Sequence, residues 1–101
     1  MKVTWTIPAT KELRKIYNFY KKKASVEVAQ SIKSKIFQST SQLENFKHSA
    51  QKEELLKDRK DDYRYLVSGN FKVIYKVTPK EICIVDIFDS RQYPEKIKRA
   101  K

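Results

Sequence analysis

A chain of 101 residues with a net charge of +11 has room for a single domain, taken here as residues 1–101, with a modest two-layer core. That excess of cations points to an acidic partner: nucleic acid, an acidic protein or an anionic membrane surface. Residues 1–60 carry 14 Lys/Arg against 6 Asp/Glu and residues 61–101 carry 9 against 6, so the excess is spread along the chain rather than gathered in a tail. The one cysteine, Cys83, excludes an intrachain disulfide framework and a cysteine-rich zinc site, and inside its apolar run it reads as a small buried hydrophobe. No apolar leader opens the chain and no run reaches membrane-spanning length, so the cytoplasm is the expected compartment and no membrane partner is expected.

Val3, Trp5 and Ile7 alternate with Thr4 and Thr6, which predicts a short first strand ended by Pro8. Pro8 and Thr10 then open a helix, since proline suits a first turn and threonine can cap one. Leu13, Ile16, Tyr17, Tyr20 and Ala24 form its apolar stripe, and Lys21, Lys22 and Lys23 close it where cations favour the negative end of the dipole. Ser25 can cap a second helix with Glu27 in its first turn. Its stripe is Val28, Ala29, Ile32, Ile36 and Leu43, closed by Phe46. Two amphipathic helices joined this closely are expected to form an antiparallel hairpin laid on a sheet. Residues 45–62 are polar and read as a surface connection, with one helical turn at residues 53–56.

Residues 63–94 read as three antiparallel strands, with β-branched and aromatic residues at a spacing of two. The only glycine, Gly69, stands beside Asn70 in the first break, where a tight hairpin turn demands positive φ. Thr78-Pro79-Lys80-Glu81 forms the second break, and its proline favours a wider four-residue loop. These turns set Ser68 opposite Phe71, Leu66 opposite Val73, Arg64 opposite Tyr75, Tyr75 beside Ile84 and Val73 beside Asp86. One face then carries Leu66, Phe71, Val73, Tyr75, Val77, Ile82, Ile84 and Phe88, with Arg64, Ser68 and Asp86 as polar exceptions. The other carries Tyr63, Tyr65, Val67, Lys72, Ile74, Lys76, Cys83, Val85 and Ile87, running out to Asp89 and Arg91. The element order is β-α-α-β-β-β: an α+β fold in which a helix hairpin packs on a small, mostly antiparallel sheet.

Two features of the second face bear on function. Lys72, Lys76 and Arg91 are phosphate-binding candidates on one side, with Arg64 reaching past the core's edge from a strand start. Val67, Ile74, Val85 and Ile87 predict an exposed apolar patch among these cations, fit for an acidic amphipathic segment. Cleaving RNA through its 2′-hydroxyl needs a base, an acid and cations for the charged phosphorane. Tyr93 is the best proton donor, but no base is convincing: His48 lies in the polar connection, and Asp89 can simply pair with Arg91 or Lys72. No His/Asp/Glu cluster has metal-ligand spacing, and no cofactor is implied.

The spacing of KELRKIYNFY, VEVAQSIKSKI and LENF, and above all YRYLVSGNFKVIYKV followed by IFDSRQYPEKI, resembles the RelE/ParE toxins of bacterial type II toxin–antitoxin systems. The likeness runs over residues 5–97 and is closer to the ParE side in its helix lengths, its Gly-Asn turn and its Arg-Gln-x-Pro ending. ParE-side members poison DNA gyrase without cutting nucleic acid, whereas RelE-side members are ribosome-dependent mRNA endonucleases. The resemblance therefore implies a toxin that binds an essential target, and the cations Arg64, Lys72, Lys76 and Arg91 of the face reading are its expected target-binding residues. It also implies an acidic antitoxin that wraps the toxin and supplies any contact with operator DNA. The enzymatic alternative would use Lys72, Arg91 and Tyr93 on ribosome-bound mRNA. A basic nucleic-acid-binding module without toxicity is the third reading.

Overall fold

The computed structural model describes residues 2–46 and 62–89; His48, Arg91, Tyr93 and the turn expected at residues 53–56 lie outside the described residues. In chain order come strand β1 (Lys2–Trp5), helices α1 (Ile7–Lys23) and α2 (Val26–Ser41), the one-turn α3 (Leu43–Phe46), and strands β2 (Asp62–Ser68), β3 (Phe71–Val77) and β4 (Glu81–Asp89). The strands form one sheet in the order β1-β4-β3-β2, antiparallel except where β1 runs parallel to β4. Both long helices pack on one side of it, giving the expected α+β architecture.

The first strand is shorter than the alternation predicts, and Thr6 is the reason. Its hydroxyl donates to the Ile84 carbonyl at 2.8 Å and accepts the Ala9 N–H at 3.3 Å, so one side chain ties off the strand and caps α1. Ile7 thereby becomes the first helical residue, largely exposed, and Thr10 bonds back to the Thr6 carbonyl instead of capping. Ser25 caps α2 as expected, accepting the Val28 N–H at 3.1 Å. Ala9, Leu13 and Ile36, with Ile16, Tyr20 and Ile32 around them, pack onto Phe71, Val73, Tyr75, Ile82, Ile84 and Ile87. Val28 is exposed rather than in the stripe, and Leu43 is buried from α3 after α2 ends at Ser41.

Both turns form where the sequence places them. Gly69 has φ 61° and Asn70 a negative φ, the pattern of a type II′ turn with glycine first. Ser68, Leu66 and Arg64 accordingly face Phe71, Val73 and Tyr75. In the wider loop the Thr78 N–H reaches the Glu81 carbonyl at 2.9 Å, and the Thr78 hydroxyl accepts the Glu81 N–H at 2.9 Å. Val77 faces Ile82 and Tyr75 faces Ile84, again as expected.

Beyond that point the predicted register fails. Ile74 pairs with Asp86 and Val73 with Ile87, so Val85 is an extra residue in β4, a β-bulge. Because side chains alternate with a period of two, one extra residue exchanges the faces of everything after it. Ile87 turns in beneath the helices, and Phe88 joins Tyr63, Ile74 and Val85 on the opposite face. Asp86 moves across from Ile74, and Asp89 across from Phe71.

Candidate functional site

On the sheet face turned away from the helices, β3 presents Lys72, Ile74 and Lys76. Lys72 stands between Val67 of β2 and Phe88 of β4, and Lys76 between Tyr63 and Cys83. Ile74 is fully buried between the two cations in a cluster with Tyr63, Val85 and Phe88, so the lysines rise from a packed apolar base. Lys72 Nζ lies 4.3 Å from the centroid of the Tyr65 ring, a cation–π contact that fixes the ammonium group. The lysines stand four residues apart on the strand, roughly 13 Å, a span that separate acidic groups along one helix or strand edge could engage. Cys83 is half-buried beside them. Burial chiefly, and Glu81 secondarily, push its thiol pKa up against the opposing effect of Lys76, which keeps it a thiol rather than a nucleophilic thiolate.

The structure separates Arg64 from this pair. Arg64 faces Tyr75 on the helix side, where its Nε lies 3.1 Å from Asp62 Oδ1. Tyr75 is fully buried there. Burial pushes its hydroxyl pKa up to about 12, Arg64 working against the rise and Asp62 adding to it. The expected apolar patch among the cations does not form. Val67 is 60% exposed, but Ile74 and Val85 are buried in the far-face cluster and Ile87 is turned beneath the helices by the bulge.

The helix layer carries exposed apolar side chains instead: Ile7, Phe19, Val26, Val28 and Phe37. Phe19 and Phe37 were missed in the sequence. The available signal was a bulky aromatic lying off each helix's apolar stripe. Asp86, read as an exception within the core face, is a buried carboxylate whose Oδ1 accepts the Ile87 N–H at 2.8 Å. It lies beside a cavity of about 600 Å³ bordered by Ile7, Lys11 and Lys15 at the start of α1. Among the described residues no group of three His, Cys, Asp or Glu side chains could hold a metal ion, and no helix is long and apolar enough to cross a membrane.

The helix hairpin on a four-stranded mixed sheet recurs in a solved toxin–antitoxin system. A solved structure described as the chromosomal ParDE TA system from P. aeruginosa matches with a TM-score of 0.74 at 23% identity, covering 88% of this chain and 95% of that one. At that identity the likeness speaks for the fold. No curated protein sequence matches significantly. The family described as the ParE toxin of type II toxin-antitoxin system, parDE, matches residues 3–94, and the chain belongs to that family.

Proposed function

We propose that this ParE-family chain arrests growth by binding an essential target, with DNA gyrase as the first candidate, and that an acidic antitoxin neutralises it and carries the contact with operator DNA. The observation that carries this reading is the cation pair on one face of the sheet: Lys72 against Tyr65, and Lys76 four residues on, above a buried apolar base. Fixed cations over a rigid sheet suit the grip of an acidic surface, because little side-chain freedom is lost on binding. Arg64 takes no part, since its guanidinium faces Asp62 on the helix side.

Binding is preferred to cleavage because the tyrosines of this face are committed to packing: Tyr63 is buried in the cluster and Tyr65 lies against Lys72. A purified sample should inhibit gyrase supercoiling, and Lys72→Glu with Lys76→Glu should relieve that inhibition. Toeprinting on translating ribosomes tests the alternative. Codon-specific mRNA cleavage abolished by Arg91→Ala or Tyr93→Phe would replace the binding mechanism with a ribosome-dependent endonuclease.

A further inference from the structure

Two features that alternation alone does not predict meet at one place: the early end of β1 and the bulge in β4. Thr6 ends β1 opposite Ile84 while β4 runs on to Asp89, so past Ile84 the pairing with β1 stops and β4 borders the start of α1. The bulge sets both Val85 and Asp86 at that border. Between them and the helix lies the cavity of about 600 Å³, a volume within the ~300–1,000 Å³ of ligand sites. Its helix wall is a row. Ile7, Lys11 and Lys15 follow one another at four-residue spacing along α1, about 6 Å per step. Ile7 is 71% exposed, and both lysines are exposed as well. Pro8 and Val85 add apolar surface. Val85 also belongs to the far-face cluster with Ile74, the residue midway between Lys72 and Lys76, so the cavity adjoins the face assigned above to the target.

We propose that this cavity receives an extended acidic segment of the target, with an apolar residue seated on Ile7, Pro8 and Val85 and carboxylates two and four residues later meeting Lys11 and Lys15. The inference rests on the reading of the chain as a target-binding toxin and assigns a second contact within it. In an extended chain alternate side chains share a side and stand about 7 Å apart, close to the step of the helix row. The pattern apolar-x-acid-x-acid therefore meets Ile7, Lys11 and Lys15 in turn. Lys15 Nζ lies 3.4 Å from Glu12 Oε1, but its side chain is 74% exposed, and an exposed pair of this kind holds its partners too weakly to exclude a second carboxylate. A nucleic-acid backbone fits less well, because Glu12 and the buried Asp86 line the same cavity and oppose a charge carried on every unit. A second copy of this chain is disfavoured too, since it would bring its own +11 charge to a cationic rim.

The test sets growth arrest on induction beside a titration with the antitoxin. Ile7→Asp and, separately, Lys11→Glu with Lys15→Glu should each require about tenfold more toxin for half-maximal arrest, the loss expected when anchor contacts go. Both should bind the antitoxin within about threefold of wild type, which shows that they fold. Folding is favoured on physical grounds as well: α1 has no acidic residue in its first turn, and an acid at Ile7 lies at the positive end of the helix dipole. Lys21→Glu with Lys23→Glu, which changes the net charge equally at the other end of α1, should arrest growth like wild type. Cavity variants that arrest growth like wild type, or a control that loses as much as they do, overturn the assignment while the toxin reading stands. Parallel losses of arrest and of antitoxin binding would give the cavity to the antitoxin and overturn it as well. A wild-type chain that does not arrest growth overturns both readings. Duplex DNA completes the test. Binding to it that Lys11→Glu with Lys15→Glu abolishes and Ile7→Asp retains, with growth arrest following the same order, would make the cavity a phosphate site and overturn the proposal.

Discussion

The sheet face under the helices and the face turned away from them are built by the same strands, yet they differ in content. Under the helices Val73, Tyr75, Ile82, Ile84 and Ile87 are all at most 1% exposed and form the larger cluster with α1 and α2. On the other side the buried cluster shrinks to Tyr63, Ile74, Val85 and Phe88, and cations alternate with Ile74 along β3. One side fixes the fold by apolar burial. The other keeps a smaller packed cluster while presenting charge. Substitutions should therefore separate by face: under the helices they change stability, and among the far-face cations they change what the chain binds.

The largest effect is expected at Ile87, where the bulge decides the face. Simple alternation would put Ile87 beside Lys72, where Ile87→Asp would be tolerated as an ion pair. In the observed register the carboxylate enters the helix-side cluster without a partner, at a cost of about 4 kcal/mol or more. That approaches the whole stability of a chain this size, roughly 5–15 kcal/mol. Circular dichroism should show Ile87→Asp without a cooperative thermal transition, while Val67→Asp at the exposed edge shifts stability by no more than about 0.5 kcal/mol. A cooperative, wild-type-like melt for Ile87→Asp would return the residue to the other face and undo the comparison.

Tyr75 tests the same side with a proton. Its folded pKa, about 12, lies above the ordinary value of 10.0, so the folded state prefers the neutral hydroxyl. That preference contributes fully below pH 10 and is lost as pH rises toward 12, a decline of roughly 2–3 kcal/mol that Tyr75→Phe cannot show. Urea unfolding at pH 9 and pH 12 should find wild type losing more stability than Tyr75→Phe by about that amount. Equal losses would mean that the helix-side face admits water at Tyr75.

Most of this division was legible in the sequence because turns announce themselves. Gly69 beside Asn70 fixed the β2–β3 register, and Pro79 with Thr78 fixed the β3–β4 loop, so Arg64, Leu66, Tyr75 and Ile84 fell on their correct neighbours. The bulge was not legible. Val85 is an ordinary strand residue in an ordinary apolar run, and what makes it supernumerary is pairing with β3, a long-range fact without a local signal. The start of α1 failed for a similar reason. Ile7 continues an alternation that Thr6 ends only because the Ile84 carbonyl lies within reach of its hydroxyl. The two lysines fell on one face because both lie on β3, whose pairing with β2 is unbroken, whereas the apolar patch drawn around them needed Ile87 on that face and Ile74 and Val85 exposed.

A small change in stability is expected at Lys72, and it decides whether the far face is a working surface. Lys72→Ala removes the contact with the Tyr65 ring and should cost about 0.5–1 kcal/mol in urea unfolding. A double-mutant cycle with Tyr65→Leu should recover a coupling of the same size. Lys72→Arg keeps both the charge and the ring contact and should be nearly neutral in the same measurement. Growth arrest on induction should behave differently: Lys72→Ala should weaken it well beyond what so small a loss of stability can explain, and Lys72→Arg should retain most of it. If Lys72→Ala arrests growth like wild type while Phe37→Asp does not, the cations of the sheet are an ordinary solvated face, and the surface that meets the target includes the exposed Phe37 of α2.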